Sequence, residues 1–271
     1  MKIRQVTGFL ESVAPLSLQE EYDNSGLIIG NEEAEVLGVL ICLDCTEAVL
    51  EEAIKKNCNL IIAHHPIIFK GLKKITGRNY VERVAEKAIR NNISVYAIHT
   101  NLDNVPVGVN KMICDKLGLT GCKILLPSAS RNNFGAGMIG TLATPSTEIS
   151  FLNKVKRVMK AGSLRHTTLL NKKVNKVAVC GGSGSFLLSE AIRQKADVFI
   201  TADFKYHQFF DAENKVLIAD IGHYESEQFT KELLRDLLME KFSIFATRLK
   251  KGEKNIPLFL TAINTNPINY L

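Results

Sequence analysis

Histidines and carboxylates stand directly after several apolar stretches of this 271-residue chain, and such side chains bind metal ions and transfer protons. They form three pairs at the ends of three runs: His64 with His65, His99 with Asp103, and His223 with Glu227. Burying two adjacent imidazoles costs free energy unless each ring finds a partner. Taken singly, each histidine also fits a surface position or a hydrogen-bonded core position. The metal-site hypothesis therefore requires that the histidines converge on one pocket.

A convergent set would supply three imidazoles and two carboxylates, a mixture that suits borderline or hard divalent ions such as Zn, Fe or Mn. Five ligands exceed the needs of one four-coordinate ion. Two ions about 3.5–4 Å apart, sharing a bridging carboxylate, would use all five and leave positions for water. We therefore predict two divalent ions per subunit, of undetermined identity. The proposed ligands are His64, His65, Asp103, His223 and Glu227.

Two further polar residues at strand ends have predicted roles beside the metals. Asp44 follows the run GVLICL and can orient a ligand histidine. His99 can lie behind the ligands or shuttle a proton, so His99 and Asp44 are the predicted catalytic residues. If one helix runs from His223 through Leu238, then His223 and Glu227, four residues apart, share one of its faces.

Buried strands and amphipathic helices must position these side chains. The apolar runs GVLICLDCT, NLIIAHHP and ISVYAIHTNLD predict strands, with Pro66 closing the second. Helices are predicted at TEAVLEEAIKKN, with Thr46 as its N-cap, at NYVERVAEKAIRNN, and at VGVNKMICDKLG, which Gly118 ends. Because ligands bind at the carboxyl ends of strands in open α/β sheets, the polar clusters are expected at one edge.

The second half repeats this order of elements, which hints at an internal duplication. Strands are predicted at KVAVCGGSG, DVFITADFKYH, KVLIADIGHYESE and SIFATR, and the principal helices at SFLLSEAIRQKA and SEQFTKELLRDLLMEKF. The predicted fold is α/β: two similar domains with mixed sheets flanked by helices, and the metal site between them. Composition places the domains at residues 1–125 and 126–271, with the helix and strand from about residue 222 able to pack back on the first domain.

Two segments near these strand ends suit anions. The loop GGSGS, Gly181 to Ser185, joins a strand to a helix, and its backbone amides can hold a phosphate. It fits neither common nucleotide-binding motif, so a tight turn with close helix packing is an equal alternative. The lysine-rich FKGLKK, Phe69 to Lys74, can attract anions or form an ordinary solvated loop.

Composition excludes several classes of protein. Hydrophobic residues make up 46% of the chain and charged residues 23%, as in ordinary globular proteins. No apolar run approaches the roughly 20 residues of a membrane span, and no signal peptide is recognisable, so we expect a cytoplasmic protein without membrane contact. Six cysteines without a complete zinc motif favour buried thiols. The net charge of +6 is compatible with nucleotides and does not by itself indicate nucleic-acid binding.

Six segments together resemble one family. They are YDNSGLIIG, LIIAHHPIIFKGLKKI, YAIHTNLDNVPVGVN, VAVCGGSG, ITADFKYH and IGHYESE, spread from Tyr22 to Glu227. They resemble the Nif-three-like family, whose members are often labelled GTP cyclohydrolase 1 type 2 homologues, in its short form without an inserted middle domain. Tyr22, Ala202 and Ser226 replace the family's usual Trp, Gly and Thr. These departures affect the shape of the pocket and leave the ligand set intact.

The resemblance implies two similar α/β domains, a dinuclear metal centre and a homohexameric toroid. It also implies that the family's metal ligands correspond to the five residues proposed above. The implied activity is a metal-dependent hydrolase acting on C–N bonds, which opens the imidazole ring of GTP and releases formate. The alternatives are a metal-stabilised toroid that binds nucleic acid or a regulatory protein without catalysis, and a metal chaperone or store with the same ligands and no substrate pocket.

Overall fold

The computed structural model describes residues 1–128, 133–242, 245 and 255–271. These residues form two compact units, each built around its own sheet. The first comprises Met1–Leu102 and Thr230–Pro267, and the second comprises Asp103–Phe229 and Ile268–Leu271. Both units draw on separated parts of the sequence, so neither is a single continuous segment.

The first sheet has five strands in the order β1-β4-β3-β2-β11. They are β1 Gly26–Ile29, β2 Val39–Cys42, β3 Leu60–Ala63, β4 Ser94–Ala97 and β11 Leu258–Leu260. Only β1 runs antiparallel to its neighbour, and the other pairs are parallel. Every residue of β2, β3 and β4 is buried, as expected for strands covered on both faces.

The helices assigned wholly or partly to this unit are α1 Ile3–Val13, α2 Glu47–Lys55, α3 Tyr80–Arg90, α4 Thr100–Asp103 and α9 Thr230–Lys241. Thr46 caps α2 as predicted, because its hydroxyl oxygen accepts the Val49 N–H at 3.4 Å. Apolar residues of α2 and α3, among them Val49 and Val84, pack into one core cluster with strand residues of the sheet.

The second sheet has six strands in the order β5-β6-β8-β9-β10-β7. They are β5 Leu119–Pro127, β6 Gly135–Thr147, β7 Arg165–His166, β8 Lys173–Ser183, β9 Val198–Ala202 and β10 Leu217–Asp220. The pairs β8-β9 and β9-β10 are parallel and the others antiparallel. Both sheets are therefore mixed, which confirms the predicted α/β class.

The helices of the second unit are α5 Val109–Leu117, α6 Glu148–Val158, α7 Leu188–Arg193 and α8 His223–Glu227. Gly118 ends α5 in the left-handed conformation with φ 69°, as predicted. The expectation of one helix from His223 through Leu238 is wrong, because α8 ends at Glu227 and α9 begins at Thr230. The two helices also belong to different units.

Other expectations from the sequence agree with the structure only in part. The contacts divide the chain at Leu102 and Thr230 rather than near residue 125, because β5 pairs with β6 along its length. The predicted strand SIFATR lies outside the described residues apart from Phe245, and β11 supplies a strand beyond it. Five cysteines are buried and Cys122 is half-buried, all as free thiols. Among the described residues, no helix is both long and apolar enough to cross a membrane.

Candidate metal centre

His64 follows the last residue of β3 and is fully buried. Its Nδ1 donates a hydrogen bond to the carbonyl oxygen of Ile98 at 2.7 Å, just beyond β4. A ring whose Nδ1 carries the proton has its basic lone pair on Nε2. The backbone at the ends of two neighbouring strands therefore fixes the tautomer suited to metal ligation through Nε2.

His65 is oriented by a carboxylate instead. Its Nδ1 lies 2.7 Å from Oδ1 of Asp44, which follows β2. The other oxygen of Asp44 accepts a hydrogen bond from the hydroxyl of Thr265 at 2.7 Å. Asp44 thus stands where sequence reasoning placed an orienting group. Thr265, more than two hundred residues away in the chain, holds that group in turn.

His99 is held by Asp23, whose side chain is fully buried. Nδ1 of His99 lies 2.8 Å from Oδ1 of Asp23, and Oδ2 accepts hydrogen bonds from Ser25 and Thr100. Burial alone would raise the pKa of Asp23, but hydrogen bonding from His99 and Thr100 outweighs it and lowers that pKa. Asp23 is consequently a carboxylate, and it fixes the His99 ring through Nδ1. Nε2 is then the ring nitrogen that does not face Asp23.

These three imidazoles form a histidine cluster, consisting of His64, His65 and His99. Their ring centroids lie 4.9–5.3 Å apart. Phe69 adds an aromatic edge, 5.6 Å from the His99 ring centroid and nearly perpendicular to it. Because Phe69 belongs to the FKGLKK segment, the exposed lysines Lys70, Lys73 and Lys74 follow close behind it in the chain.

In the second unit, His223 and Glu227 occupy one face of α8. Nε2 of His223 lies 3.1 Å from Oε2 of Glu227, while Nδ1 lies 2.6 Å from Oδ2 of Asp203. Burial lowers the pKa of His223, but the Glu227 charge and the Asp203 hydrogen bond outweigh it and raise that pKa to about 11. The space between Nε2 and Glu227 thus favours a positive charge, which a metal cation would also supply.

Gly182 shows what the GGSGS loop does in this unit. A Cβ on Gly182 would lie 2.5 Å from Oε1 of Glu227 and 3.3 Å from Cε1 of His223. The Gly182 amide donates to the Ser226 hydroxyl, and the Gly181 amide donates to Asn110. Two amides considered for phosphate binding are therefore engaged within the protein, and this part of the loop matches the close-packing alternative.

Asp103 ends α4, and its carbonyl oxygen accepts a hydrogen bond from the Asn110 side chain at 3.0 Å. Asp103 also lies close enough to act on the thiol of Cys180. Burial raises the pKa of Cys180, and the negative charges of Asp103 and Glu227 raise it further. Asp103 and Glu227 thus share an electrostatic neighbour within the second unit.

Predicted ligands lie together within each unit. In the first unit the ring centroids of His64 and His65 are 4.9 Å apart, and in the second unit His223 contacts Glu227 directly. His207 is exposed and packs against Tyr206 and Phe210, and His166 lies in β7.

Sequence reasoning missed two residues that orient histidines. Asp23 lies in YDNSG, whose strong turn signals explain these residues without any contact to a histidine. Asp203 lies in the segment DVFITADFKYH, which was predicted only as a strand, although it contacts His223. Its position was a usable signal for this contact. Asp203 directly follows β9, which lies beside β10, the strand that leads to His223. The structure also places Asp203 in the left-handed conformation, with φ 59°.

The mixed sheets, the His64 and His65 pair of the first unit and the His223 and Glu227 pair of the second define an α/β protein with side chains able to hold a metal ion. A family model described as Duf34/NIF3 (NGG1p interacting factor 3) matches residues 1–255. The chain belongs to that family.

Curated relatives match over most or all of the chain. A GTP cyclohydrolase 1 type 2 homolog of Clostridium acetobutylicum is 39% identical over 233 residues, covering 84% of this chain and 85% of the relative. One from Campylobacter jejuni is 32% identical over 272 residues, covering all of both chains. These identities place the chain among proteins that carry that label.

Solved structures share the fold. A hypothetical protein from Staphylococcus aureus is 34% identical, with a TM-score of 0.89 over 100% of this chain and 99% of the other. A Bacillus cereus protein related to NIF3 is 26% identical, with a TM-score of 0.90 and the same coverage. The architecture described above is therefore that of the family.

Proposed function

We propose that this protein is a dinuclear metal-dependent hydrolase of the GTP cyclohydrolase type. Its metal ligands would be His64, His65, Asp103, His223 and Glu227. The observation that carries the proposal is the orientation of the three ligand histidines. Each has Nδ1 at 2.6–2.7 Å from an oxygen atom, which directs Nε2 to ligation.

The donor set fits Zn, Fe or Mn, because it combines imidazole nitrogen atoms with carboxylate oxygen atoms. Two bound divalent ions would supply Lewis-acid chemistry, lowering the pKa of water and stabilising negative charge that develops on the substrate. The raised pKa of His223 supports the fit, since the position facing Glu227 already favours a cation. Asp44 and Asp203 would keep His65 and His223 in the ligating tautomer.

His99 would transfer the proton. Asp23 holds its Nδ1, so Nε2 is the atom that would accept a proton from water and return it to the leaving nitrogen. Its ring contacts with His64 and His65 keep His99 beside the ligands. Asp44 would assist indirectly by fixing His65. The predicted catalytic pair, His99 and Asp44, thus divides into a proton carrier and a positioning residue.

A purine nucleotide suits the surroundings of the histidine cluster. The Phe69 ring next to His99 offers an aromatic surface, and Lys70, Lys73 and Lys74 offer charges for phosphates. The curated relatives carry the name GTP cyclohydrolase 1 type 2 homolog, which supports GTP as the first substrate to test. We also propose a homohexamer acting in the cytoplasm.

The test is formate release from GTP by metal-loaded protein, with Asp103→Ala as the inactive variant. Asp115→Ala is the matched control, because Asp115 is exposed and pairs only with Lys111 among the described residues. We expect turnover in the native protein and the control, and none in Asp103→Ala. Equal rates in all three would identify a contaminant. Absent turnover together with DNA binding that weakens steeply with salt would favour the nucleic-acid-binding alternative instead.

A further inference from the structure

A cleft in the second unit lies apart from the proposed metal ligands. Its volume is about 520 Å³, within the range of roughly 300–1,000 Å³ typical of small-ligand sites. It is lined by residues of β7 and the strand's C-terminal extension, by the 3-10 helix Tyr206–Ala212, and by Glu213 and Asn214, which follow that helix. The Glu213 carboxylate is paired with Lys215. No predicted ligand or catalytic residue lines the cleft.

Exposed aromatic rings form one wall of the cleft. Tyr206 and Phe210 are 73% and 65% exposed, and their ring centroids lie 5.7 Å apart. Phe209 lines the same space and is half-buried. Large aromatic side chains left in water forgo the free energy that burial would supply, so clustered exposed rings indicate a surface that something covers.

Arg165 supplies a fixed cation in the opposite wall. Its Nη2 donates to the carboxylate of Asp220 and, at 3.1 Å, to the carbonyl oxygen of Phe204. The guanidinium carbon lies 5.4 Å from the centre of the Phe209 ring. The side chain is nevertheless 58% exposed, so its remaining N–H groups are available to the cleft. An anchored guanidinium binds carboxylates and phosphates with little loss of conformational entropy.

Asp220 divides its negative charge between this cation and two backbone amides. Its carboxylate is 3% exposed and also accepts the backbone N–H groups of Phe204 and Gly222, at 3.0 and 3.1 Å. Two backbone donors therefore share its charge with Arg165, whose side chain is more than half exposed. His166 adds a second polar ring: its Nδ1 donates to the Thr167 carbonyl oxygen at 2.6 Å, which makes Nε2 the other hydrogen-bonding atom.

We propose that this cleft binds a planar aromatic anion, with the ring against Tyr206 and Phe210 and the oxyanion on Arg165. Nucleoside monophosphates and aromatic carboxylates share this chemistry. Arg165 also donates to Asp220, which accepts the amide of Gly222, the residue before His223 at the start of α8. The proposal is independent of the metal chemistry above.

Calorimetric titration of the full-length protein tests the site with AMP, 4-hydroxybenzoate, adenosine and inorganic phosphate. We expect AMP or 4-hydroxybenzoate to bind at one site per chain, and the stronger of the two identifies the source of the anion. Adenosine and phosphate, which each lack one half of the ligand, should bind at least about tenfold more weakly. Absence of saturable binding by both anions would overturn the proposal.

Variants assign the binding to this cleft. Phe210→Ala should weaken binding about tenfold. Phe186→Ala, at an equally exposed ring outside the cleft, should leave binding unchanged. Arg165→Gln should weaken anion binding without changing that of adenosine. If Phe210→Ala and Phe186→Ala bind alike, the site lies elsewhere. If Phe210→Ala instead lowers the molar mass in light scattering, the aromatic surface joins copies of the chain and the proposal fails.

Discussion

Asp44 binds His65 through one carboxylate oxygen while Thr265 occupies the other, each at 2.7 Å. The position of a proposed metal ligand therefore depends on a hydroxyl near the end of the chain. Residues such as Asp44, which orient a ligand without touching the metal, commonly change metal affinity about 10–100-fold when substituted.

We expect Asp44→Asn to weaken metal binding within that range, and Thr265→Val to act in the same direction by a smaller factor. Competition with a chromophoric chelator measures both affinities. Thr261→Val is the control, since the Thr261 hydroxyl bonds to Glu52 rather than Asp44. Equal affinities in the two threonine variants would show that the Thr265 hydroxyl does not act through Asp44.

Removal of individual ligands should separate metal binding from folding. Protein reconstituted with metal should contain about two divalent ions per chain. His64→Ala and Glu227→Ala should each lose metal and still unfold cooperatively, because these buried side chains follow a strand and end a short helix and belong to neither apolar core cluster. His166→Ala should retain both ions. Elemental analysis beside thermal melts decides, and a native ratio below one would rule out the dinuclear site.

Gly182→Ala should displace Glu227. The added methyl group would lie 2.5 Å from the Glu227 carboxylate, which must move away from His223. Gly121→Ala is the matched control, because Gly121 has nearly the same φ, +60° against +61°, and an added Cβ would meet nothing within 4 Å. Both variants should lose about 1 kcal/mol of unfolding free energy from backbone strain. Only Gly182→Ala should also bind metal at least about tenfold more weakly.

Asp23→Asn should lower stability at neutral pH and lose its effect in acid. The native pKa of Asp23 is lowered, so its stabilisation is complete above the unfolded value of about 3.9 and is lost as pH falls toward the folded value. We expect about 2 kcal/mol less unfolding free energy at pH 7, with a smaller difference below about pH 4. Urea denaturation across this range measures it. Asp115→Asn, an exposed control, should change little.

The assembly prediction depends on the family resemblance. Multi-angle light scattering should give the mass of six 30.0 kDa chains. The mass should persist in ordinary salt at micromolar concentration. A monomer throughout that range would contradict it.

Local signals predicted much of the fold. Thr46 and Gly118 bound their helices as expected because caps act within a few residues. The β5-β6 pair was missed, since glycine-rich RNNFGAGMIG lacks the alternation that marks a strand. The break between α8 and α9 was also not predicted. The apolar periodicity of the sequence continues across the break, although the two helices belong to different units.

The site was predictable only in part for a related reason. Strand ends located His64, His65 and His223 because the side chains follow apolar runs directly. Their orienting partners are distant in sequence: Asp23 lies 76 residues from His99, and Thr265 lies 221 residues from Asp44. No local periodicity reports such pairs, and the turn residues around Asp23 already had a sufficient local explanation.

The parallel pairing of β11 with β2 bears on synthesis at the ribosome. Residues 39–42 emerge early, yet their hydrogen-bonding partner at residues 258–260 is translated after segment 103–229 of the second unit. During elongation the β2 edge therefore lacks that partner, and unpaired edges of this kind invite association between nascent chains. Slowed translation between these two segments should prolong dependence on chaperones that shield exposed strands.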